Sequence, residues 1–498
     1  MKRSSERPSV VFLAAAVLLV VLSNLTPISE SDFWLQLKVG AEITATHGIP
    51  PTIEYAFTEA RDLPFVAHEW LPSVATSALY PIAGYAGMIV FKCLLACGVV
   101  LLSFLLAREL GADATVAGLI ALAAATVMNF RFQMRPEIFA FLLAFGTTIL
   151  LTRFAEASRG TGTDSPYLSL SPLPVIALVW ANTHASITLG LLLPWIFLAG
   201  SAIDDLRAKR PFRIRTVQLP LAATGTAMAL AALVNPYGVR LFVHAAQFSR
   251  LAYLRDNIVE FASTFGEQAR HTPYFWAFVA YAAILIAVVA FRWRRLDGTA
   301  LLLLALFGWM AADAIRFTAW LALAGTYAMG KALAGVAGRK LASAGTVLAL
   351  LGIATVLARG DVRGHRVGFA NQAPMSDAAI AFIRDHGIAG NVFNTFSHGD
   401  QLVFNFFPKI RVVIDSRIDA YGEGYYLKYR DLCGRSYKAL GPPEDLVAYL
   451  ARYDVRTIVT RPLDLKNWKD KGHVAALEKM GFSLVYGDAT TAILTRGR

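Results

Sequence analysis

Glu30-Ser31-Asp32 sets two carboxylates two residues apart. In an extended or turning segment such a pair points to one side, where it can share a cation or receive a proton from a hydroxyl. A plainer reading makes Asp32 a helix cap and Glu30 a solvated loop residue. His68-Glu69-Trp70 joins an imidazole, a carboxylate and an indole. That pair alone is short of the ligands zinc needs, and Trp70 also suits a headgroup anchor. Lys92, Arg131 and Arg135 supply cations, and the planar fork of arginine matches the oxygens of a phosphate or pyrophosphate. Asp313 and Arg316 either meet a ligand or neutralise each other on one helical turn. Asn182-Thr183-His184 interrupts an otherwise apolar hairpin, an expensive place for polar groups without a task. Asn235-Pro236-Tyr237-Gly238 reads as a helix stop.

The elements that carry these residues are apolar runs recurring from Pro8 to Ala358. Taken by length they make about 11 membrane spans. They cover 8–25, 86–107, 114–130, 136–153, 172–184, 186–203, 217–234, 274–291, 298–313, 316–333 and 341–358. Alternate connections hold the basic residues: Lys2, Arg3 and Arg7; Arg153 and Arg159; Arg207, Lys209, Arg210, Arg213 and Arg215; Arg292, Arg294 and Arg295; Lys331, Arg339 and Lys340. By the positive-inside rule the N-terminus is cytoplasmic, and an odd number of spans leaves the C-terminus outside. The polar corners all fall at the outward ends. Ionisable groups at membrane depth usually mark function, so a shared extracytoplasmic site is expected.

Of 498 residues, 56% are hydrophobic, which excludes an ordinary soluble globule for most of the first 358. The net charge of +12 lies largely in short loops, where it sets orientation and meets anionic membrane lipid. No basic helix or RNA-type aromatic motif accompanies it, so no nucleic-acid partner is expected. Of the three cysteines, Cys433 is alone in the outer domain, which leaves no disulfide there. The first apolar run has a basic start, but Ser23-Asn24-Leu25-Thr26-Pro27 is a poor cleavage site, so it reads as a retained signal anchor. No internal repeat is visible, so the inverted repeats of many secondary transporters are missing.

The outer loop at 26–85 contains two helical patterns. Asp32 to His47 is amphipathic, capped by Asp32 and ended by Gly48 and Pro50-Pro51. His68 to Tyr80 is too short to span and is expected at the interface. A second outer loop, Asn235 to Pro273, has a helical middle from Val239 to Leu254. Beyond Gly360 the composition changes. Strands at 391–394, 411–414, 456–459, 482–486 and 491–495 alternate with helices at 376–386, from Asp400, at 443–453 and at 467–479. Ser376 caps the first of these helices and Pro442-Pro443 opens a later one. The expected fold is a polytopic α-helical membrane domain, residues 1–358, followed by a small extracytoplasmic α/β domain, residues 359–498.

One span, then a long outer loop with a carboxylate at its start and two interfacial helices, resembles the GT-C superfamily of integral-membrane glycosyltransferases. Asp32-Phe33-Trp34-Leu35-Gln36-Leu37-Lys38-Val39-Gly40, His47-Gly48-Ile49-Pro50 and His68-Glu69-Trp70-Leu71 resemble a bacterial branch of it. So do Arg135-Pro136, Asn182-Thr183-His184, Asn235-Pro236-Tyr237-Gly238, Gly399-Asp400-Gln401-Leu402, Pro408 through Asp415-Ser416-Arg417, and Tyr421-Gly422. The order of these short motifs covers nearly the whole chain. The resemblance implies a sugar donor on a polyprenyl phosphate, a glycan, lipid or protein acceptor, and a bacterial inner-membrane location. It makes Asp32 the loop acid that deprotonates or orients the acceptor hydroxyl, with Glu30 where a second acid often stands. A paired Asp-x-Asp is more typical than this Glu-x-Asp. That departure leaves metal use open: no cofactor is expected to be required, and Mg²⁺ or Mn²⁺ on Glu30 and Asp32 is possible. His68, Glu69, Lys92, Arg131, Arg135, Asn182, His184 and Arg316 are the expected substrate-binding residues. No nucleotide-binding glycine-rich loop is present, and none is needed if the donor is already lipid-linked, as the resemblance implies.

Two other classes compete. A transporter or flippase of lipid-linked glycans needs a polar path across the full thickness, whereas the cytoplasmic halves of the spans are nearly uncharged. A noncatalytic assembly protein would use its outer domain to bind a partner, with Asp415-Ser416-Arg417 as part of that surface.

Overall fold

The computed structural model describes residues 7–158, 166–248, 252–338, 343, 373–433, 446–470 and 473–497. Among them, ten of the eleven expected spans coincide with helices. The last, 341–358, lies outside the described residues but for residue 343, as do the expected domain boundary at 359 and the Pro442-Pro443 helix start. Among the described residues, five helices are long and apolar enough to cross a membrane: Trp70–Glu109, Ala114–Arg131, Glu137–Ala157, Ile187–Arg207 and Tyr274–Arg295. Val11–Asn24, Tyr167–Ala181 and Gly298–Asp313 are shorter and equally apolar. Large side chains stand bare on this region, with Phe291 at 87% and Trp309 at 69% exposure. Water would not tolerate that pattern and lipid does, so this is a membrane protein.

The chain divides into two compact units. The first is Met1–Thr26 with Ile89–Gly368, and the second is Pro27–Met88 with Phe369–Arg498. In the first, helix Arg7–Asn24 packs on Ala114–Met128, Leu173–Ala181 on Leu219–Ala232, and Gly298–Asp313 on Leu193–Arg207 and Leu321–Ala332. Threonines sink into this bundle without cost because Thr148 and Thr152 donate to backbone carbonyls one turn back, at 2.8 and 2.7 Å.

The second unit is built on a five-stranded sheet: β1 Gly390–Asn394, β2 Ile410–Val412, β3 Thr457–Thr460, β4 Phe482–Gly487 and β5 Ala492–Arg496, in the order β2-β1-β3-β5-β4. β1 runs parallel to β2 and β3, with Phe393 opposite Ile458. β5 is antiparallel to β3 and β4, with Ile458 opposite Leu494 and an irregularity at Leu484/Tyr486. Central β3 is buried at every position, as its Ile-Val core requires. Ser376 caps helix Asp377–Asp385 by accepting from the Ala379 amide at 3.0 Å, as expected. Helix Ile418–Leu432, which carries six tyrosine and leucine positions among its charges, was not foreseen.

The loop 27–88 is part of this second unit. The Val412 amide donates to the Tyr55 carbonyl (3.1 Å) and the Phe57 amide to Val412 (3.1 Å), so the loop lies along the open edge of β2. Helix Asp32–Thr46 packs on helix Phe396–Phe406. It also presses on the backbone at Ser73: a Cβ at Gly40 would stand 2.0 Å from the Ser73 carbonyl oxygen, so only glycine fits. The expected short helix at 68–80 is present as the first part of the stretch Trp70–Glu109, which Gly84, at φ 63° and ψ −175°, divides into two helices, the second carrying the expected span 86–107.

Candidate functional site

Asp32 opens its helix but does not cap it. Ser31 holds the cap position with helical φ −65° and ψ −39° and makes no side-chain cap bond. A cap needs an extended backbone, and that condition fails one residue before Asp32. Glu30 and Asp32 are both partly buried, and Glu30 Oε2 has no hydrogen-bond partner.

Packing of helix Phe396–Phe406 on helix Asp32–Thr46 adds a carboxyl that spacing did not reveal. Asp400 is fully buried. Its Oδ1 accepts from the Ser416 amide at 2.9 Å, while Oδ2 has no partner. Burial, then the Asp415 charge and more weakly that of Asp32, holds Asp400 well above the usual carboxylate range. It therefore favours its protonated form. Asp415 Oδ1 accepts from the Arg417 amide (3.1 Å) and Nε (2.9 Å), and Oδ2 from Arg417 Nη2 (2.6 Å) and the Tyr421 hydroxyl (3.1 Å). The Arg417 guanidinium lies 4.4 Å from the Tyr55 ring centre and 4.8 Å from that of Phe65. Asp415 and Arg417 are both buried, so the segment belongs to the interior and not to a partner surface. In the same unit His68 Nε2 lies 3.6 Å from Glu69 Oε1. Burial opposes its charge, but Glu69 and then Asp419 raise the imidazole to about 9, so it is cationic at neutral pH.

The membrane unit gathers the arginines. Arg131 Nε donates to Glu137 Oε2 at 2.9 Å, and Nη2 bonds the same oxygen. Arg131 Nη1 and Arg135 Nη1 both meet Glu260 Oε2, the latter at 3.0 Å. Trp320 Nε1 donates to Glu137 Oε1 at 3.2 Å. Arg316 and His184 act on Glu137 electrostatically as well. Arg316 makes no ion pair among the described residues, lies 4.4 Å over the Phe261 ring, and leaves its buried Nε without a partner. Glu260 sits in the loop 235–273. Its carboxyl is lowered by Arg131, Arg135 and Arg316 in spite of burial, which alone would raise it. Three guanidinium groups against two carboxylates leave one positive charge.

Asp313 does not neutralise Arg316. It receives Arg255 Nη2 at 2.8 Å, because the helix ends at Asp313 and Ala314 turns extended (φ −146°, ψ 145°), which breaks the three-residue helical spacing. Lys92 Nζ donates to the Thr26 carbonyl at 3.1 Å. Asn182 Nδ2 ties two chain segments together through the carbonyls of Leu178 (2.8 Å) and Val234 (2.9 Å). His184 Nδ1 accepts from the Ser186 amide at 3.1 Å, which leaves the neutral ring's proton on Nε2. Asn235 closes a turn: its Nδ2 donates to Ala232 (2.8 Å), and its Oδ1 accepts from the Tyr237 amide (2.8 Å). The structure thus gathers Arg131, Arg135, Arg316 and His184 around Glu137 and Glu260, and Glu30, Asp32 and Asp400 in the second unit.

No family model and no curated protein matches the sequence. Solved structures do. The Archaeoglobus fulgidus oligosaccharyltransferase, tethered to an acceptor peptide containing the NVT sequon, superposes over 98% of this chain and 74% of its own at a TM-score of 0.60 and 12% identity. The same enzyme in complex with Zn and sulfate matches over 90% and 68%, at 0.59 and 13%. ArnT from Cupriavidus metallidurans, bound to undecaprenyl phosphate, matches over 99% of this chain and 100% of its own, at 0.54 and 14%. Both neighbours are GT-C membrane glycosyltransferases. Agreement over almost the full length, at TM-scores of 0.60 and 0.54 and 12% and 14% identity, shows that this chain shares the fold of these enzymes.

Proposed function

We propose that this protein moves a sugar from a polyprenyl-phosphate-linked donor to a glycan, lipid or protein acceptor at the extracytoplasmic face of the bacterial inner membrane. The supporting observation is the arginine cluster, in which Arg316, beside Arg131 and Arg135, makes no ion pair among the described residues. An uncompensated cation in an apolar setting calls for an anion, and a departing polyprenyl phosphate supplies one. The fold neighbour solved with undecaprenyl phosphate supports that choice of anion. Asp32 accepts the proton of the acceptor hydroxyl as its oxygen bonds to the anomeric carbon. The bond from that carbon to the phosphate oxygen breaks, and the charge gathering on the phosphate is met by Arg316, Arg135 and Arg131. His68, Glu69, Lys92, Asn182 and His184 are proposed to shape the substrate sites. No cofactor enters the reaction, and Mg²⁺ or Mn²⁺ on Glu30 and Asp32 is the variant to test.

Membranes with and without the protein, given radiolabelled polyprenyl-phosphate sugars and resolved by thin-layer chromatography, test the reading. Donor consumption should depend on the protein and vanish in Asp32→Asn. Equal consumption in both membranes would reject it. For orientation, alkaline phosphatase fused after Gly360 should be active and after Arg210 inactive, and the opposite pattern refutes the proposed face.

A further inference from the structure

In the membrane unit, helix Leu193–Arg207 closes the membrane-length stretch Ile187–Arg207 and ends in a turn built around one carboxylate. The Lys209 amide donates to the Leu206 carbonyl and the Arg210 amide to the Asp205 carbonyl, each at 3.1 Å. These two bonds are those of a helix closed by a left-handed residue, and Lys209, at φ 51°, stands where glycine usually does. The turn brings Arg210 back to Asp205, and Pro211 keeps the helix from resuming. Asp205 is fully buried. Its Oδ1 accepts from Arg210 Nε (2.5 Å) and Arg213 Nε (3.1 Å). Its Oδ2 accepts from the Arg213 amide (3.3 Å) and Gln218 Nε2 (3.2 Å). Neighbouring Asp204 is engaged elsewhere, at the Gly298 amide (2.7 Å).

Each arginine is thus held through Nε, and the Nη groups of both bond nothing else among the described residues. The side chains stay accessible, Arg210 at 44% and Arg213 at 21%, although the carboxylate that holds them is at 0%. Two guanidinium groups on one carboxylate leave a positive charge, to which the exposed Lys209 and Arg215 add. Fixed, outward Nη groups match the oxygens of a phosphate. A free phosphate would leave Leu206, Phe212, Ile214 and Leu219 bare in the same segment. At the end of a span such side chains meet acyl chains. From this we infer that the turn 205–218 binds an anionic phospholipid, with Asp205 positioning Arg210 and Arg213 on its phosphodiester. Such a site differs from the diffuse pull of a basic loop on a membrane, because it depends on a negative charge being present. It requires neither glycosyl transfer nor a particular face of the membrane.

The test is native mass spectrometry of the full chain in detergent, titrated with phosphatidylglycerol or phosphatidylcholine, reading the tightest lipid bound. Phosphatidylglycerol should bind roughly tenfold more tightly than phosphatidylcholine, and excess inorganic phosphate should not displace it. Changing Arg210→Lys and Arg213→Lys together keeps the charge and loses the Nε bonds. Phosphatidylglycerol binding should then fall roughly fivefold or more, with the melting temperature unchanged because neither side chain is buried. The same pair of changes at Arg292 and Arg294 should leave binding as it was. Asp205→Asn separates a positioned pair from a charged patch. It raises the local charge by one, so attraction by charge alone would tighten phosphatidylglycerol binding, whereas loss of positioning weakens it. Tighter or unchanged binding in Asp205→Asn, in protein that melts within a few degrees of the unaltered chain, would overturn the inference. So would unchanged binding in the Arg210/Arg213 double variant, an equal loss at Arg292/Arg294, or displacement of the lipid by inorganic phosphate. If Asp205→Asn fails to fold, the double variant decides alone.

Discussion

Glu137 in the membrane unit and Asp400 in the second unit are equally buried carboxyls, yet they are handled in opposite ways. Glu137 is held by Arg131 and Trp320, and the charge left over in its neighbourhood is a cation, Arg316. Asp400 has a backbone amide and no counter-ion, and what is left over is a carboxyl that keeps its proton beside the paired Asp415. A low-dielectric interior tolerates a charge only with a partner, so the surplus group in each region is the one prepared to take something: an anion at Arg316, a proton at Asp400. Partnered groups should therefore matter to stability, and surplus groups to binding or pH response.

The largest effect should fall on Asp32, whose charge Asp400 feels. Asp32→Asn should lower transfer by about 10²- to 10⁴-fold, the range for a lost general base, while the unfolding free energy shifts by less than about 1 kcal/mol. Retained transfer would remove Asp32 from the chemistry. If Glu30→Gln loses as much and activity follows added Mg²⁺, a bridging cation is the better account. Next comes a partnered group: Glu137→Ala leaves Arg131 only Glu260, which Arg135 also uses, and should cost about 3–5 kcal/mol in thermal unfolding. A neutral result would break the distinction between paired and surplus charge.

Arg316→Ala should do the reverse, leaving the melting temperature nearly unchanged and weakening polyprenyl-phosphate binding by about 10- to 100-fold, worth about 1.5–3 kcal/mol. Arg135→Lys should weaken it less, by loss of the planar fork. Equal affinity in both variants argues against a donor phosphate there. Asp400→Asn should alter a pH profile. Its native pKa is raised, so the stability it contributes is full below the unfolded value near 4 and is lost as pH rises through the raised one. The fall in stability over that window should flatten in the Asn variant, and matching slopes would show that Asp400 is not protonated. The smallest effect belongs to Arg255→Ala: its bond to Asp313 is half-exposed, 52% and 33%, and is worth under about 1 kcal/mol.

How far the site could be read in advance depended on sequence distance. Ser376 capping its helix and Asn235 closing its turn were legible, because both acts involve neighbours within three residues. The partner of Arg135 was not: Glu260 is 125 residues away, past the helical stretch 239–254 of its loop and outside any periodic pattern. The pairing of Asp313 with Arg316 failed for a local reason, since it assumed helix where Ala314 is extended. Gly399-Asp400-Gln401-Leu402 stood out only through the resemblance, and nothing in its spacing indicated a carboxyl near Asp32.

Apolar runs long enough for lipid, basic residues in alternate loops and the turn chemistry of the α/β region are properties of neighbouring residues, so the amino-acid sequence by itself determined a membrane helix bundle followed by a small sheet domain. Which charges meet is a matter of long-range packing. Only the tertiary structure decided that the loop 27–88 lies along β2, that helix Asp32–Thr46 meets the helix carrying Asp400, and that three arginines share two carboxylates. Burial and counter-charge, which set protonation and binding at such groups, come from residues hundreds of positions apart, and no local pattern encodes them.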